Sequence, residues 1–233
     1  MAAKDRYESL TRLGGIVIAF LWIDIVLQAL YALSSLAVIG YIGDLQSGRV
    51  TVTDPEALAP SEIIQALIAI PATLVSLLLV VLIARWIFRA AWNVRHLGAR
   101  RLEFSPGWSV GWYFVPFANL VFPFRAMKEI WHASHDPHRW QPGSVGLLSL
   151  WWALWISSNI LGNINFRLAL NAETLEWLRV SQWLGIAVCV LSIPLALVFV
   201  RIARRVREAQ DRSFASAAEP PPLPEPPETA VAV

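Results

Sequence analysis

Asp24 carries more chemical potential than any other side chain in this sequence. It stands well inside the apolar run 13–42, with Gln28 one helical turn further on. An ionisable group at that depth is costly and by default has a partner, a cavity or a transport path. Two readings follow. Arg85 or Arg89, both shallower on the next apolar segment, reaches inward to form a structural ion pair, or the carboxylate binds a proton or a cation. Asn159, Asn163 and Asn165 sit in a later apolar run, the first two sharing a helix face. Such amides either bond between helices or line a substrate path. His132, His135 and His138 beside Asp136 resemble a metal-ligand run. Pro137 takes His138 off the face of the other two, so they read as solvated loop residues and no metal is expected. No Gly-rich phosphate loop, HExxH helix or nucleophile elbow occurs. The expectation is therefore no enzyme, no cofactor and no nucleic-acid partner.

The second feature is a break. Residues 105–134 read SPGWSVGWYFVPFANLVFPFRAMKEIWHAS and are apolar enough to enter a bilayer, yet Gly111, Pro116, Asn119 and Pro123 interrupt them. Ser105 before Pro106 is an N-cap and first-turn signal. It predicts a helix from Pro106 to about residue 115, where Pro116 stops it. Asn119 reads as the N-cap of a second helix over about 120–134, whose later part mixes polar and apolar residues as an interfacial helix should. Non-helical backbone at membrane depth persists only where protein or a water-filled cavity satisfies it. The break either offers carbonyls near Val115 and N–H groups near Leu120 to an ion or polar head group, or plugs the bundle with Asn119 capping its own helix. The aromatics Trp108, Trp112, Tyr113, Phe114 and Phe117 read as packing and interface anchors.

Both features need a membrane-spanning frame, and the composition supplies one. The chain is 56% hydrophobic and 15% charged, with mean hydropathy +0.53, far from a soluble domain. Spans are expected over about 13–42, 63–84 with an extension to 97, 145–168 and 180–203, each near the roughly 20 residues that cross a bilayer. The fold class predicted is all-α: a polytopic membrane protein of four transmembrane helices plus a re-entrant or interfacial broken helix at about 105–134. Residues 1–12 read as a cytoplasmic N-terminus, 13–212 as the helical membrane domain and 213–233 as a disordered Pro-rich tail. The first run is too long for a cleavable signal. Cys189 is the single cysteine, so no intramolecular disulfide is possible. With both termini inside, sixteen of the nineteen basic residues fall on the cytoplasmic side, as the positive-inside rule requires. A fifth crossing by the broken segment would undo that. Seventeen arginines against two lysines suit a high-GC bacterial genome and its cytoplasmic membrane.

Trp86, Arg89, Asn93, Leu97-Gly98, SPGWSVGWYFVPFANL, Pro123, Met127 and IWHAS together resemble domain of unknown function 4328, a family of bacterial integral membrane proteins. The resemblance is close over residues 86–134. It implies an integral membrane protein of this size and brings no assigned activity. Asp24, Arg89, Asn93, Ser105, Asn119 and Asn159 are the candidate polar or binding residues. Trp86, Pro106, Trp108, Gly111, Trp112, Pro116, Pro123 and Trp131 are the structural positions of the motif. The functional expectation is a membrane scaffold or accessory protein that binds lipid, a second copy of itself or another membrane protein through the broken element. The alternative is a small oligomeric transporter or channel with an intramembrane site at Asp24, Asn119 and Asn159. A lipid-modifying enzyme ranks behind both.

Overall fold

The structure, a computed structural model, describes residues 7–51 and 60–218. Lys4 and Arg6, Asp54 and Glu56 of the first loop, and the expected tail from 219 onward lie outside the described residues. Every regular element described is helical: α1 (Thr11–Gln46), α2 (Pro60–His96), α3 (Pro106–Gly111), α4 (Phe122–His135), α5 (Gly146–Leu170) and α6 (Leu175–Ala218). Short 3-10 turns, Trp112–Phe114 and Ala118–Leu120, lie between α3 and α4. α1, α2, α5 and α6 are the four helices long and apolar enough to cross a membrane. α6 runs to Ala218, so residues 213–218 are helical where the tail was expected to begin.

α1 packs between α2 and α6, and α6 packs in turn on α5. The spans therefore follow the order α2, α1, α6, α5, which leaves α2 and α5 at opposite ends of a curved row. The segment between them in sequence fills the space this leaves. α3 packs on α2, and α4 on α6, α2 and α5. Glu8 before α1, Asn93 late in α2, Ser134 late in α4 and Gln210 late in α6 meet in one hydrogen-bonded cluster. One end of the bundle thus holds the start of α1 and the ends of α2, α4 and α6, and the broken segment enters and leaves there. That is the re-entrant geometry.

Burial is concentrated at this hairpin end. The buried residues of α2 all lie at or beyond Leu79, and those of α5 are Leu148, Trp151 and Trp152 near its start. Fully buried Trp86 packs edge-on to Phe199 (5.5 Å), with Met127 and Ile130 of α4 completing the core. Earlier in α2, Leu67, Ile70, Leu74 and Leu77 are exposed, a pattern that suits lipid and no aqueous surface. In α6 the buried positions Phe199, Ile202, Ala203, Val206, Ala209 and Gln210 recur at helical spacing. This stripe carries the helix past the membrane zone to cover α4.

Candidate functional site

The entry to the broken hairpin is built as its sequence dictates. Ser105 is extended (φ −67°, ψ 157°) and its Oγ accepts from the Trp108 N–H at 3.2 Å, with Pro106 in the first turn. The loop before it is clamped from two sides. Glu129 of α4 accepts from the N–H groups of Glu103 (2.5 Å) and Phe104 (3.2 Å), and Arg95 donates to the Phe104 carbonyl. Burial pushes the Glu129 carboxyl above its ordinary value, against those two donors and Arg95, which pull it down. Arg125 grips Glu103 through both carboxylate oxygens (2.8 and 2.9 Å) and lies over the rings of Phe104 and Phe122. Glu129 and Arg95 escaped the sequence reading, because a polar residue on the covered side of an amphipathic helix looks like any interfacial charge.

The break itself differs from expectation. α3 ends at Gly111 and continues as a 3-10 turn to Phe114, so the first helix is shorter and tighter at its end than predicted. A side chain at Gly111 would crowd the Trp108 ring at 3.1 Å. Phe117 adopts φ +61°, a conformation costing a non-glycine residue about 1–2 kcal/mol. Asn119 does not cap a helix: it lies inside the 3-10 turn, and α4 starts at Phe122 behind Val121, which makes no side-chain cap, with Pro123 in its first turn. The left-handed Phe117 forces a second tight turn where the N-cap was expected. Nor do the backbone groups await an ion. The Val115 carbonyl accepts from Asn119 N–H (2.9 Å), the Leu120 N–H donates to Phe117 (3.2 Å), and Ala118 donates to Pro116 (2.7 Å). The Leu120 carbonyl takes the Trp152 indole N–H at 3.2 Å. Trp108, Trp112 and Phe122 stack in series at 4.6 Å, while Tyr113 meets Trp152 and Trp155 edge-on. The backbone of the turn is thus closed on itself, while its side chains Phe114, Phe117, Leu120 and Val121 are exposed.

Asn93 belongs to a buried hydrogen-bonded knot. It is fully buried and donates to the Glu8 carbonyl (2.9 Å) and to Gln210 Oε1 (3.0 Å). Gln210 donates in turn to Ser134 Oγ (2.9 Å) and the Ala90 carbonyl (3.1 Å). Gln210 was missed, although it falls on the apolar stripe of α6. Arg89 pairs with Glu8. Trp131 is buried and stacks on His135 at 4.7 Å. The three histidines part company: His132 faces Gly143, His135 returns to the Trp131 carbonyl, and His138 sits against Gly98.

Asp24 is the candidate that the structure places at a cavity. The residue is 9% exposed, and Ser76 Oγ donates to its carboxylate at 3.2 Å. Among the described residues it makes no ion pair. The expected partners lie too far along α2: from Ser76 to Arg85 is about 14 Å and to Arg89 about 20 Å at helical rise. A cavity of about 410 Å³ opens beside Asp24. Gln28, Ser76 and Asn159 line it, with the aromatic walls Tyr113, Trp151, Trp155 and Phe199. Gln28 accepts from the Cys189 thiol (3.1 Å), and Asn159 donates back to the Trp155 carbonyl on its own helix (2.8 Å). The Tyr113 hydroxyl is buried with no hydrogen-bond partner among the described residues. The structure thus brings Asp24 and Asn159 to one space and leaves Arg89, Asn93 and Asn119 out of it.

A second, wider cleft of about 930 Å³ lies at the hairpin end between the start of α1, α2 and α3. Arg12, Arg85 and Arg89 sit on it, and Ile16, Val81, Phe88 and Phe114 give it an apolar floor. Arg12 and Arg85 are exposed and make no ion pair among the described residues. Val80, Ala84, Val110 and Phe114 line both spaces.

The family model described as Domain of unknown function (DUF4328) matches residues 49–208, well over half of the sequence, and the chain belongs to that family. The matched range takes in α2, the hairpin, α5 and most of α6; Arg12 and Asp24 on α1 lie outside it. No curated protein and no solved structure matches.

Proposed function

We propose that the chain is a non-enzymatic membrane scaffold or accessory protein that holds an anionic phospholipid in the cleft beside its broken hairpin. The observation that carries this reading is the pairing of two cations, Arg12 and Arg85, that have no ionic partner among the described residues, with a contiguous apolar floor of Ile16, Val81, Phe88 and Phe114. A phosphate head group with an attached acyl chain complements both halves. A soluble anion would leave the floor wet, and a neutral lipid would leave the arginines unanswered. The distribution of basic residues along the sequence supports the cytoplasmic leaflet of a bacterial inner membrane as the setting, with both termini inside. In that leaflet each arginine near the surface contributes about 1 kcal/mol of attraction to anionic lipid, so the pair is worth about 30-fold in affinity.

Native mass spectrometry of the purified full chain tests this. Protein loaded with an equimolar mixture of phosphatidylglycerol and phosphatidylcholine should retain the former through delipidation. The Arg12→Ala/Arg85→Ala variant should lose that preference while keeping its fold. Equal retention of the two lipids by the unaltered protein, or an undiminished preference in the variant, refutes the reading.

A further inference from the structure

We propose that the cavity at Asp24 is a binding site for a small amphipathic organic cation, an ammonium group carried on an aromatic or aliphatic body. The inference stands on residues other than the arginines of the lipid cleft, so either reading can fail without the other. Several observations converge on it. The cavity holds one carboxylate and no basic side chain. That carboxylate has two neutral partners, the Ser76 hydroxyl and the Gln28 side chain, and no cation among the described residues. A carboxylate enclosed in this way takes up a proton or a cation from outside the chain.

The walls specify the rest. Tyr113, Trp151, Trp155 and Phe199 present aromatic surface around the acid, and aromatic faces attract ammonium groups while also burying an apolar body. A hard divalent ion would ask for six or more oxygen ligands, whereas this lining is mostly hydrocarbon and ring. A volume of about 410 Å³ falls in the range of small-molecule sites, about 300–1,000 Å³. The Tyr113 hydroxyl, buried and unpartnered at the same cavity, is the polar group such a ligand would complete. A lipid tail alone would satisfy neither it nor Asp24.

Equilibrium dialysis of the full chain in detergent micelles against benzyltrimethylammonium tests the assignment. Saturable binding of one cation per chain is expected, weakened at least about tenfold in Asp24→Asn, since that variant removes the opposite charge which the quaternary ammonium faces, and largely kept in Asp24→Glu. Neopentylbenzene, the neutral carbon isostere, should not displace the cation. Absence of saturable binding, equal affinity in Asp24→Asn, or displacement by the neutral isostere overturns the proposal. If Asp24→Asn does not elute as folded protein, Trp155→Leu takes its place: a several-fold loss of affinity is then expected, and unchanged affinity overturns the proposal.

Discussion

Asn93 and Gln210 should behave as one unit, and a double-mutant cycle measures how tightly. Both are fully buried, and Asn93 Nδ2 to Gln210 Oε1 spans 3.0 Å. Asn93→Leu keeps the volume but leaves Gln210 Oε1, which has no other donor among the described residues, stranded in the core. An orphaned buried acceptor costs about 1–3 kcal/mol, and losing the bond to the Glu8 carbonyl adds about 1 kcal/mol. Gln210→Met breaks three bonds, yet each former partner keeps another: Asn93 still donates to Glu8, Ser134 to the Ile130 carbonyl (2.6 Å), and the Ala90 carbonyl stays in its helix. That variant should cost about 2–3 kcal/mol. In the double variant the stranded oxygen no longer exists, so the combined loss should fall short of the sum by about 1–3 kcal/mol. The assay is thermal unfolding of the detergent-solubilised chain, where 1 kcal/mol moves the midpoint of a domain this size by about 2–4 °C. Additivity within about 0.5 kcal/mol would refute the claim that this pair ties α2, α6 and the N-terminal segment together.

Two further perturbations probe the loop that delivers the hairpin. Gly98 ends α2 at φ +90°, and a Cβ there would stand 2.9 Å from His138 Cε1. Gly98→Ala should lower stability by about 1–3 kcal/mol, and His138→Ala should restore the steric part while the backbone strain remains. Full rescue would show that the left-handed conformation carries no cost. Burial raises the Glu129 carboxyl above 4.5 in the folded chain, so folded protein binds more protons than unfolded protein just above that value. Stability should therefore fall as pH climbs through the window from 4.5 upward, and Glu129→Gln should flatten that slope. A slope unchanged in the variant would assign the pH dependence to other groups.

What was legible in the sequence follows from how local each determinant is. Four spans emerge from hydropathy alone, because an uninterrupted apolar run of bilayer length has few other fates. Ser105 and Pro106 form a cap that needs nothing beyond its own turn, and it appears where the residues place it. Asn119 carries a cap signal too, but the left-handed backbone at Phe117 diverts the chain into a second tight turn before α4 can begin. The partner of Asp24 was beyond reach, because it depends on how α2 rotates and slides against α1. Ser76 is a neutral residue in an unremarkable run, whereas Arg85 and Arg89 advertised their charge. Gln210 and Glu129 went unnoticed for the opposite reason: both lie in segments rich in charge, and only the burial stripe of each helix separates them from their solvated neighbours.

A broken segment at membrane depth invites the inference that its free backbone groups bind something. Here they bind one another, and the chemistry lies on the segment's flanks. Val110 and Phe114 from the hairpin, with Val80 and Ala84 from α2, form a thin wall between two spaces of opposite character. One side presents arginines above an apolar floor, and the other a carboxylate among aromatic rings. An uninterrupted helix could not make that wall, since it would run on through the bilayer and fill the gap between α2 and α5 along its whole length. Stopping at Phe114 and turning back confines the hairpin to one end, which leaves Asp24 beside an open cavity. The clamp at Glu129 and Arg95 and the bond from Trp152 to Leu120 then fix how deep the hairpin sits. The proline-rich break acts by ending a helix early, and the cavity at Asp24 exists because it does.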